Sequence, residues 1–137
     1  EFRNFSRSKI KVPENSKKTI DERQGKVIRL IQSYRNRGHL KATLDPLGMM
    51  ERRVIEDLSI EFHGLSHDDL DEEFYTDTFT DSNKLTLREI LFRLEEVYCG
   101  NIGIECNHIL DSEERRWFQK KFESKLTEYS FNPDEKT

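Results

Sequence analysis

The sequence has few hydrophobic residues and few of the residues that shape turns most strongly. Hydrophobic side chains make up 34% of its 137 residues and charged ones 36%, with six Gly and three Pro, whereas about 45–50% hydrophobic and about 25% charged residues are usual. The length suits one domain, and the composition predicts a small core that depends on a further surface. Nine Phe, four Tyr and one Trp argue against a disordered chain.

Three further absences narrow the class of protein. The chain has only two cysteines, Cys99 and Cys106, and no secretory signal, so we expect a reduced compartment and no disulfide framework. Its net charge of −4 argues against a nucleic-acid-binding protein, which would present a basic face. No apolar run is long enough to span a bilayer, so a membrane partner is not expected either.

Hydrophobic periodicity predicts an all-α fold of about five helices with irregular connections. We divide the chain into a polar lead-in (1–23), a helical domain (24–131) and the start of a truncated helix (132–137). The first helix begins at Gln24, and Gly38 suits the left-handed position that follows a helix C-terminus. The apolar face of this helix consists of Val27, Ile28, Leu30, Ile31 and Tyr34.

The middle of the chain gives weaker signals. Residues 51–58 are compatible with one short helix. Ser66 and the acids that follow it resemble an N-cap leading into a second one, which would contain Leu70, Phe74 and Tyr75. Residues 77–84 form a polar loop.

Two capping boxes mark the clearest helices. Thr86-Leu-Arg-Glu89 begins one that Gly100 ends, and Asp111-Ser-Glu-Glu114 begins another, after an extended crossing segment at residues 101–110. The apolar stripe of the former consists of Leu87, Ile90, Leu91, Leu94, Val97 and Tyr98. The latter contains Trp117, Phe118, Lys121 and Phe122.

The most site-like cluster lies at the end of the first helix, from Arg35 to Asp45. Arg suits bidentate binding of carboxylate or phosphate, and Arg35 and Arg37 would disfavour the charged form of His39. The competing interpretation, which spacing alone favours, is a cationic helix end with an Arg–Asp45 pair that fixes the turn. Asp45-Pro46-Leu47-Gly48 is itself a turn signal, since Pro fixes φ and Gly permits positive φ.

Other titratable residues are weaker candidates. His63 and His67 have the four-residue spacing of helical metal ligands, but Gly64 and Ser66 interrupt that helix, so no metal site is predicted. His108 either points into a cleft or packs at the entry of a helix. Cys99 follows a helix C-terminus, where the dipole raises a thiol pKa, so it is not expected to be a nucleophile.

Four pieces in register resemble a known family. They are Tyr34-Arg-Asn-Arg-Gly-His39, Leu44-Asp-Pro-Leu-Gly48, the stretch from Leu94 to Gly100, and the stretch from His108 to Trp117. Across residues 23–132 they resemble the N-terminal helical region of the decarboxylase (first) component of the 2-oxoglutarate dehydrogenase complex.

The resemblance implies an oxidoreductase of the citric acid cycle. Such an enzyme decarboxylates 2-oxoglutarate with thiamine diphosphate and magnesium and passes the succinyl group to the lipoyl arm of the dihydrolipoyl succinyltransferase component. It implies a homodimer in the bacterial cytoplasm or the mitochondrial matrix. The cofactor-binding domains would follow this chain in the same polypeptide, so we expect no cofactor, metal or catalytic residue within it, and no activity of the chain alone.

Individual residues follow from the same resemblance. Arg37, His39, Asp45 and Gly48 match the family's motif, and we assign them to shaping and docking rather than to proton transfer. His108 matches a His found in many bacterial members, but the preceding Cys106 and Asn107 stand where bulky aromatic residues are common.

Two alternatives remain. One is the 2-oxoadipate-specific paralogue within the same family, which the sequence following His39 disfavours. The other is a free-standing helical interaction module without enzyme activity. The missing initiator Met and the helix start signal at Asn132-Pro133, with only four residues after it, lead us to expect that the native chain continues.

Overall fold

The computed structural model describes residues 22–51 and 54–125, in which three α-helices and one two-stranded antiparallel sheet surround a common core. The helices are α1 (Glu22–Arg37), α2 (Leu87–Tyr98) and α3 (Ser112–Lys125), and the strands are β1 (Glu73–Tyr75) and β2 (Lys84–Thr86). The helical character predicted from the sequence is confirmed. The prediction of an all-α fold with about five helices is corrected, because a hairpin and several single 3₁₀ turns take the place of the others.

Helix α1 buries the predicted apolar face against α2. Val27, Leu30, Ile31 and Tyr34 are almost fully buried, whereas Ile28 remains 37% exposed. The predicted left-handed Gly38 is wrong, because this glycine has no positive φ and begins a 3₁₀ turn instead. A Cβ on Gly38 would lie 2.5 Å from the Cβ of Tyr98, so glycine is required here for the close approach of two backbones.

The connection after α1 contains short 3₁₀ turns rather than helices. They cover Glu56–Leu58, Glu61–His63 and His67–Asp69, so the short helix predicted over residues 51–58 does not form in the part of this stretch that the structure describes. Leu58, Ile60 and Leu65 anchor the connection in the core. Ile55 and Leu70 pack against the same core while partly buried, and the backbone between these anchors follows the core surface without a helical face of its own.

The N-cap predicted at Ser66 forms, but the helix after it does not. Ser66 and Asp69 make a capping box around a single 3₁₀ turn, and the chain then enters the hairpin. Phe74 is buried while Tyr75 on the next position is exposed, which is the two-residue alternation of a strand. Residues 73–75 therefore pair with residues 84–86 in register, and the polar loop predicted between them connects the strands.

Both predicted capping boxes mark true helix starts. The Thr86 side chain accepts the Glu89 N–H and the Glu89 carboxylate accepts the Thr86 N–H. At α3, the Asp111 carboxylate accepts the N–H groups of Glu113 and Glu114. The predicted α2 stripe is confirmed, with Leu87, Ile90, Leu94, Val97 and Tyr98 almost fully buried.

Helix α3 packs less completely than the other two. Trp117 is 57% exposed, whereas Phe118 and Phe122 pack against the core edge. The loop before α3 has no regular structure and buries Ile104 and Cys106. The predicted lead-in up to residue 21 and the helix start at 132–137 lie outside the described residues. None of the described helices is long and apolar enough to cross a membrane.

Candidate functional site

Arg35, the first residue of the predicted cluster, lies in the core instead of at an exposed helix end. Its side chain is 5% exposed and that of Glu123 is 2% exposed. The Arg35 Nε and Nη2 atoms donate to the two carboxylate oxygens of Glu123 at 2.7 and 2.9 Å. The Tyr98 hydroxyl donates to the same carboxylate at 2.6 Å. One buried carboxylate thus links all three helices.

The charge balance of this network is set by burial and by Glu123. Burial disfavours a charged guanidinium, but the Glu123 carboxylate outweighs that penalty, so the pKa of Arg35 is raised. Burial and the same carboxylate also raise the pKa of Tyr98, which therefore stays protonated and donates. Removing either partner of this buried pair would leave the charge of the other buried without compensation. The fold therefore depends on both partners.

Arg37 joins the end of α1 to the connection that follows. Its Nη1 atom lies 3.2 Å from the Asp57 carboxylate, and the Arg37 side chain is half exposed. The backbone carbonyl of Asp57 also lies 2.9 Å from the Nε2 atom of His63. Arg37 therefore contacts the first 3₁₀ turn of the connection rather than Asp45.

Asp45 organises the turn that the sequence predicts. Its carboxylate accepts the N–H groups of Leu47 and Met50. The hydrogen bond from the Met50 N–H is the largest influence and lowers the pKa of Asp45; burial opposes it, and the hydrogen bond from Leu47 adds to the lowering. Gly48 has the predicted positive φ, at 66°. The predicted Arg–Asp45 pair is wrong, because backbone amides take the place of the guanidinium.

His39 lies beside the loop that follows α2. Its Nε2 atom is 3.9 Å from the Glu105 carboxylate, and its Nδ1 atom is buried with no hydrogen-bond partner among the described residues. A Cβ added at Gly103 would lie 3.0 Å from the Leu44 side chain and 3.6 Å from the Cβ of His39. Since Arg35 and Arg37 have other partners, they do not form the predicted cluster with His39.

A second polar group joins α1 to α2 near this point. The Tyr34 hydroxyl donates to the Glu95 carboxylate at 2.7 Å, and the Lys41 ammonium group donates to the same oxygen. Burial opposes the charge of Glu95, but the hydrogen bonds from Lys41 and Tyr34 outweigh it and lower its pKa. These contacts fasten the 3₁₀ turn after α1 to α2.

The remaining histidines are not brought together. His67 is 81% exposed and lies 3.6 Å from the Glu61 carboxylate, while the His63 ring contacts Phe62 edge to face. No group of three or more His, Cys, Asp or Glu side chains within the described ranges is arranged to hold a metal ion. His108 is exposed on the loop before α3.

The two cysteines have raised pKa values. Burial, followed by the nearby Glu95 carboxylate, raises the pKa of Cys99 to about 12, so the predicted direction is confirmed. Burial also raises the pKa of Cys106. Neither thiol is activated as a nucleophile, since the thiolate is the reactive form.

Sequence reasoning missed Glu123 and Glu95, which are the two acids that organise the helix contacts. Glu123 directly follows Phe122, and consecutive residues of a helix do not share a face, so the apolar stripe of α3 gives no sign that this acid is buried. An acid in that position needs a buried partner. Its partner, however, is 88 positions away, and no local pattern identifies Arg35.

Known proteins align with most of this chain. The 2-oxoglutarate dehydrogenase E1 component of Azotobacter vinelandii is 49% identical over 105 residues, which are 76% of this chain and 11% of that protein. This similarity confirms the resemblance to the 2-oxoglutarate dehydrogenase E1 component. A multifunctional 2-oxoglutarate metabolism enzyme of Mycobacterium sp. (strain JLS) is 41% identical over 109 residues, 78% of this chain and 9% of that protein. No protein-family model matches the chain.

The alignment therefore covers most of this chain but only a small part of each relative. This chain spans about a tenth of the length of the curated relatives that it matches. Most of each relative has no counterpart in the residues described above. The names of these relatives describe whole enzymes, whereas the structure describes a helical segment of this chain.

Proposed function

We propose that this chain is the N-terminal, non-catalytic helical region of a 2-oxoglutarate dehydrogenase E1 component. The supporting observation is the 49% identity to the A. vinelandii E1 component over 76% of the chain. The whole polypeptide would decarboxylate 2-oxoglutarate with thiamine diphosphate and magnesium, as a homodimer. It would pass the succinyl group to the dihydrolipoyl succinyltransferase component, in the bacterial cytoplasm or the mitochondrial matrix.

The contacts of the motif residues support a shaping role. Arg37 pairs with Asp57, Asp45 accepts two backbone amides, and Gly48 takes a positive φ in the same turn. Each of these groups has a structural partner or a conformational task close to its own position in the chain. A group engaged in this way is a poor candidate for moving protons on a substrate.

An exposed apolar surface supports a docking role. Leu47, Met49 and Met50, which we call the apolar turn, are 79%, 82% and 74% exposed. Val54 and Phe62 beyond them are 89% and 61% exposed. Exposed apolar side chains gathered in this way mark interaction surfaces, and the hydrogen bonds to Asp45 fix the shape of the turn. We propose that the apolar turn packs on the catalytic domains of the same polypeptide.

The test uses the longer polypeptide that contains this chain, reconstituted with the succinyltransferase and dihydrolipoyl dehydrogenase components. We expect 2-oxoglutarate-dependent NADH formation by the complex, and thiamine diphosphate binding by the longer polypeptide but not by residues 1–137 alone. His39→Gln and His108→Gln should leave kcat within about twofold of the wild type, since neither residue is placed at the chemistry. A large loss of kcat with unchanged thermal stability would contradict the non-catalytic assignment.

The same experiment separates the alternatives. A higher kcat/KM for 2-oxoadipate than for 2-oxoglutarate would identify the paralogue. A longer polypeptide that binds no thiamine diphosphate and oxidises neither acid would instead support the interaction module. In that case the apolar turn would serve a separate partner protein.

A further inference from the structure

A polar groove of about 600 Å³ lies between α1, the hairpin loop and α3. Of the site candidates that the sequence suggested, Arg35 is the one found among the described residues that line this groove. Its size falls within the range of about 300–1,000 Å³ that is usual for small-molecule sites. The residues on which the inference depends are Arg35, Asn36, Asp77, Asn107, Arg115 and Arg116.

The innermost cation of the groove is the buried Arg35. Its Nε and Nη2 atoms are held by Glu123, and Nη2 also donates to the Thr78 hydroxyl at 3.3 Å. The Nη1 atom takes part in none of these three hydrogen bonds. A guanidinium fixed on one side thus keeps two N–H donors on the other, and its orientation is already set by the Glu123 pair.

Helix α3 contributes two further guanidinium groups. Arg115 donates from Nη1 to the Ile109 carbonyl at 2.9 Å, which leaves its other donors available. Arg116 is exposed and makes no ion pair or hydrogen bond within residues 22–51 and 54–125. The amide side chains of Asn36 and Asn107, which also line the groove, are in the same situation.

The charge of the groove is positive although the chain as a whole carries −4. Glu123 neutralises Arg35, and Asp77 is the one carboxylate among the described lining residues. Two arginines and one acid therefore line the groove, together with amide side chains. Guanidinium groups bind phosphate and carboxylate through paired, charge-assisted hydrogen bonds, and amides add both donors and acceptors.

We propose that this groove binds a small organic anion through phosphate or carboxylate groups. The oxyanion would lie between Arg115 and Arg116 and reach the Nη1 atom of Arg35. The inference rests on the geometry of the groove and does not depend on the proposed function. Pyrophosphate and citrate serve as probes of the two chemistries, because each presents several oxyanion groups on a small body.

The experiment is calorimetric titration of the 137-residue chain with each probe at constant ionic strength. We expect one site per chain, with the tighter probe identifying the phosphate or the carboxylate class. Arg116→Gln should weaken binding by about tenfold or more, because it removes a hydrogen bond to a charged group. Arg88→Gln is the matched control, since Arg88 is exposed, lies outside the groove and pairs with Asp71.

Amide chemical shifts locate the binding. Saturable shifts at Thr78, Asn107 and the first turns of α3 would support the proposal. An equal loss from Arg88→Gln, unchanged affinity in Arg116→Gln, or no binding of either probe at millimolar concentration would overturn it. Shifts that occur in the 137-residue chain but vanish in the longer polypeptide would also overturn it, because the groove would then be covered by protein.

Discussion

Two regions of this molecule hold their shape in opposite ways. The helix junction, formed by Gly38, Arg35, Tyr98 and Glu123, is built from contacts between residues that are 25 to 88 positions apart. The turn around Asp45 is held by hydrogen bonds that span two and five positions. The junction buries polar groups that hydrogen-bond to one another. The turn instead leaves its large apolar side chains exposed to solvent.

This difference gives the two regions different roles, because the junction stabilises the fold and the turn is available for association. At the junction, Arg35 and Tyr98 both donate to the Glu123 carboxylate inside the chain. The junction should therefore contribute to the free energy of unfolding whatever the chain is attached to. The apolar side chains of the turn contribute little until another surface covers them. Substitutions in the first region should therefore change unfolding, and substitutions in the second should change binding.

The largest effect is expected at Glu123. Glu123→Ala would leave the Arg35 guanidinium buried without a counter-charge and the Tyr98 hydroxyl without its acceptor. Breaking a buried pair in this way costs about 3–5 kcal/mol, measured as the free energy of unfolding in urea. Glu96→Ala, at an exposed position of α2, is the control and should change stability by less than about 0.5 kcal/mol.

The Glu123 prediction remains testable if Glu123→Ala does not fold. Glu123→Gln keeps the size and one acceptor of the side chain but removes its charge, so an intermediate loss of stability is expected. A loss below about 1 kcal/mol for both variants would show that the junction does not depend on the ion pair. The junction would then not stabilise the fold in the way described above.

Two glycines of α1 and its end provide the next test. Gly38→Ala would place a Cβ 2.5 Å from the Cβ of Tyr98, whereas an added Cβ at Gly25 meets nothing within 4 Å. We expect Gly38→Ala to destabilise by about 1–3 kcal/mol through overpacking. Gly25→Ala should stabilise by about 0.5–1 kcal/mol, because alanine loses less backbone entropy in a helix. Equal effects in thermal unfolding would contradict the close approach at Gly38.

The same contrast explains what the sequence predicted and what it missed. The caps at Thr86 and Asp111 and the positive φ of Gly48 depend on neighbours within five positions, and all three were predicted correctly. The hairpin was missed because each strand has three residues, too few for a two-residue alternation to be recognised. The N-cap at Ser66 was found, but it was extended into a helix that the strand replaces.

The site was harder to predict than the helices. Arg35 and Arg37 are two positions apart, and their spacing suggests one cationic helix end beside His39. Arg35 instead pairs with a residue 88 positions away, and Arg37 with one 20 positions away. Spacing along α1 carries no information about either partner. Gly38 was likewise explained by a local rule, whereas its requirement comes from Tyr98 on another helix.

A smaller effect is expected when the Asp45 carboxylate is protonated. Because hydrogen bonds from backbone amides lower its pKa, its contribution is fully present above the ordinary Asp pKa of about 3.9. That contribution is lost as the pH falls through the lowered value. The amide protons of Leu47 and Met50 should therefore shift together with the Asp45 carboxyl carbon in an NMR titration. Asp45→Asn should abolish this shared transition, and its persistence in the variant would assign it to another group.

The smallest effect on unfolding, and the one that separates the regions most clearly, is expected at Leu47. In the 137-residue chain, Leu47→Ser removes a side chain that is 79% exposed, so the free energy of unfolding should change by less than about 0.5 kcal/mol. In the longer polypeptide the same substitution should lower the Tm by about one degree, because burying a leucine on a second surface is worth about 1.5–3 kcal/mol and the Tm shift per kcal/mol is small in a long polypeptide. Leu110→Ser, at a leucine that is 96% exposed outside the apolar turn, is the matched control. An equal fall in Tm from Leu110→Ser would mean that the contact is not specific to the apolar turn, and unchanged Tm values for both would leave that turn without a surface in the same polypeptide.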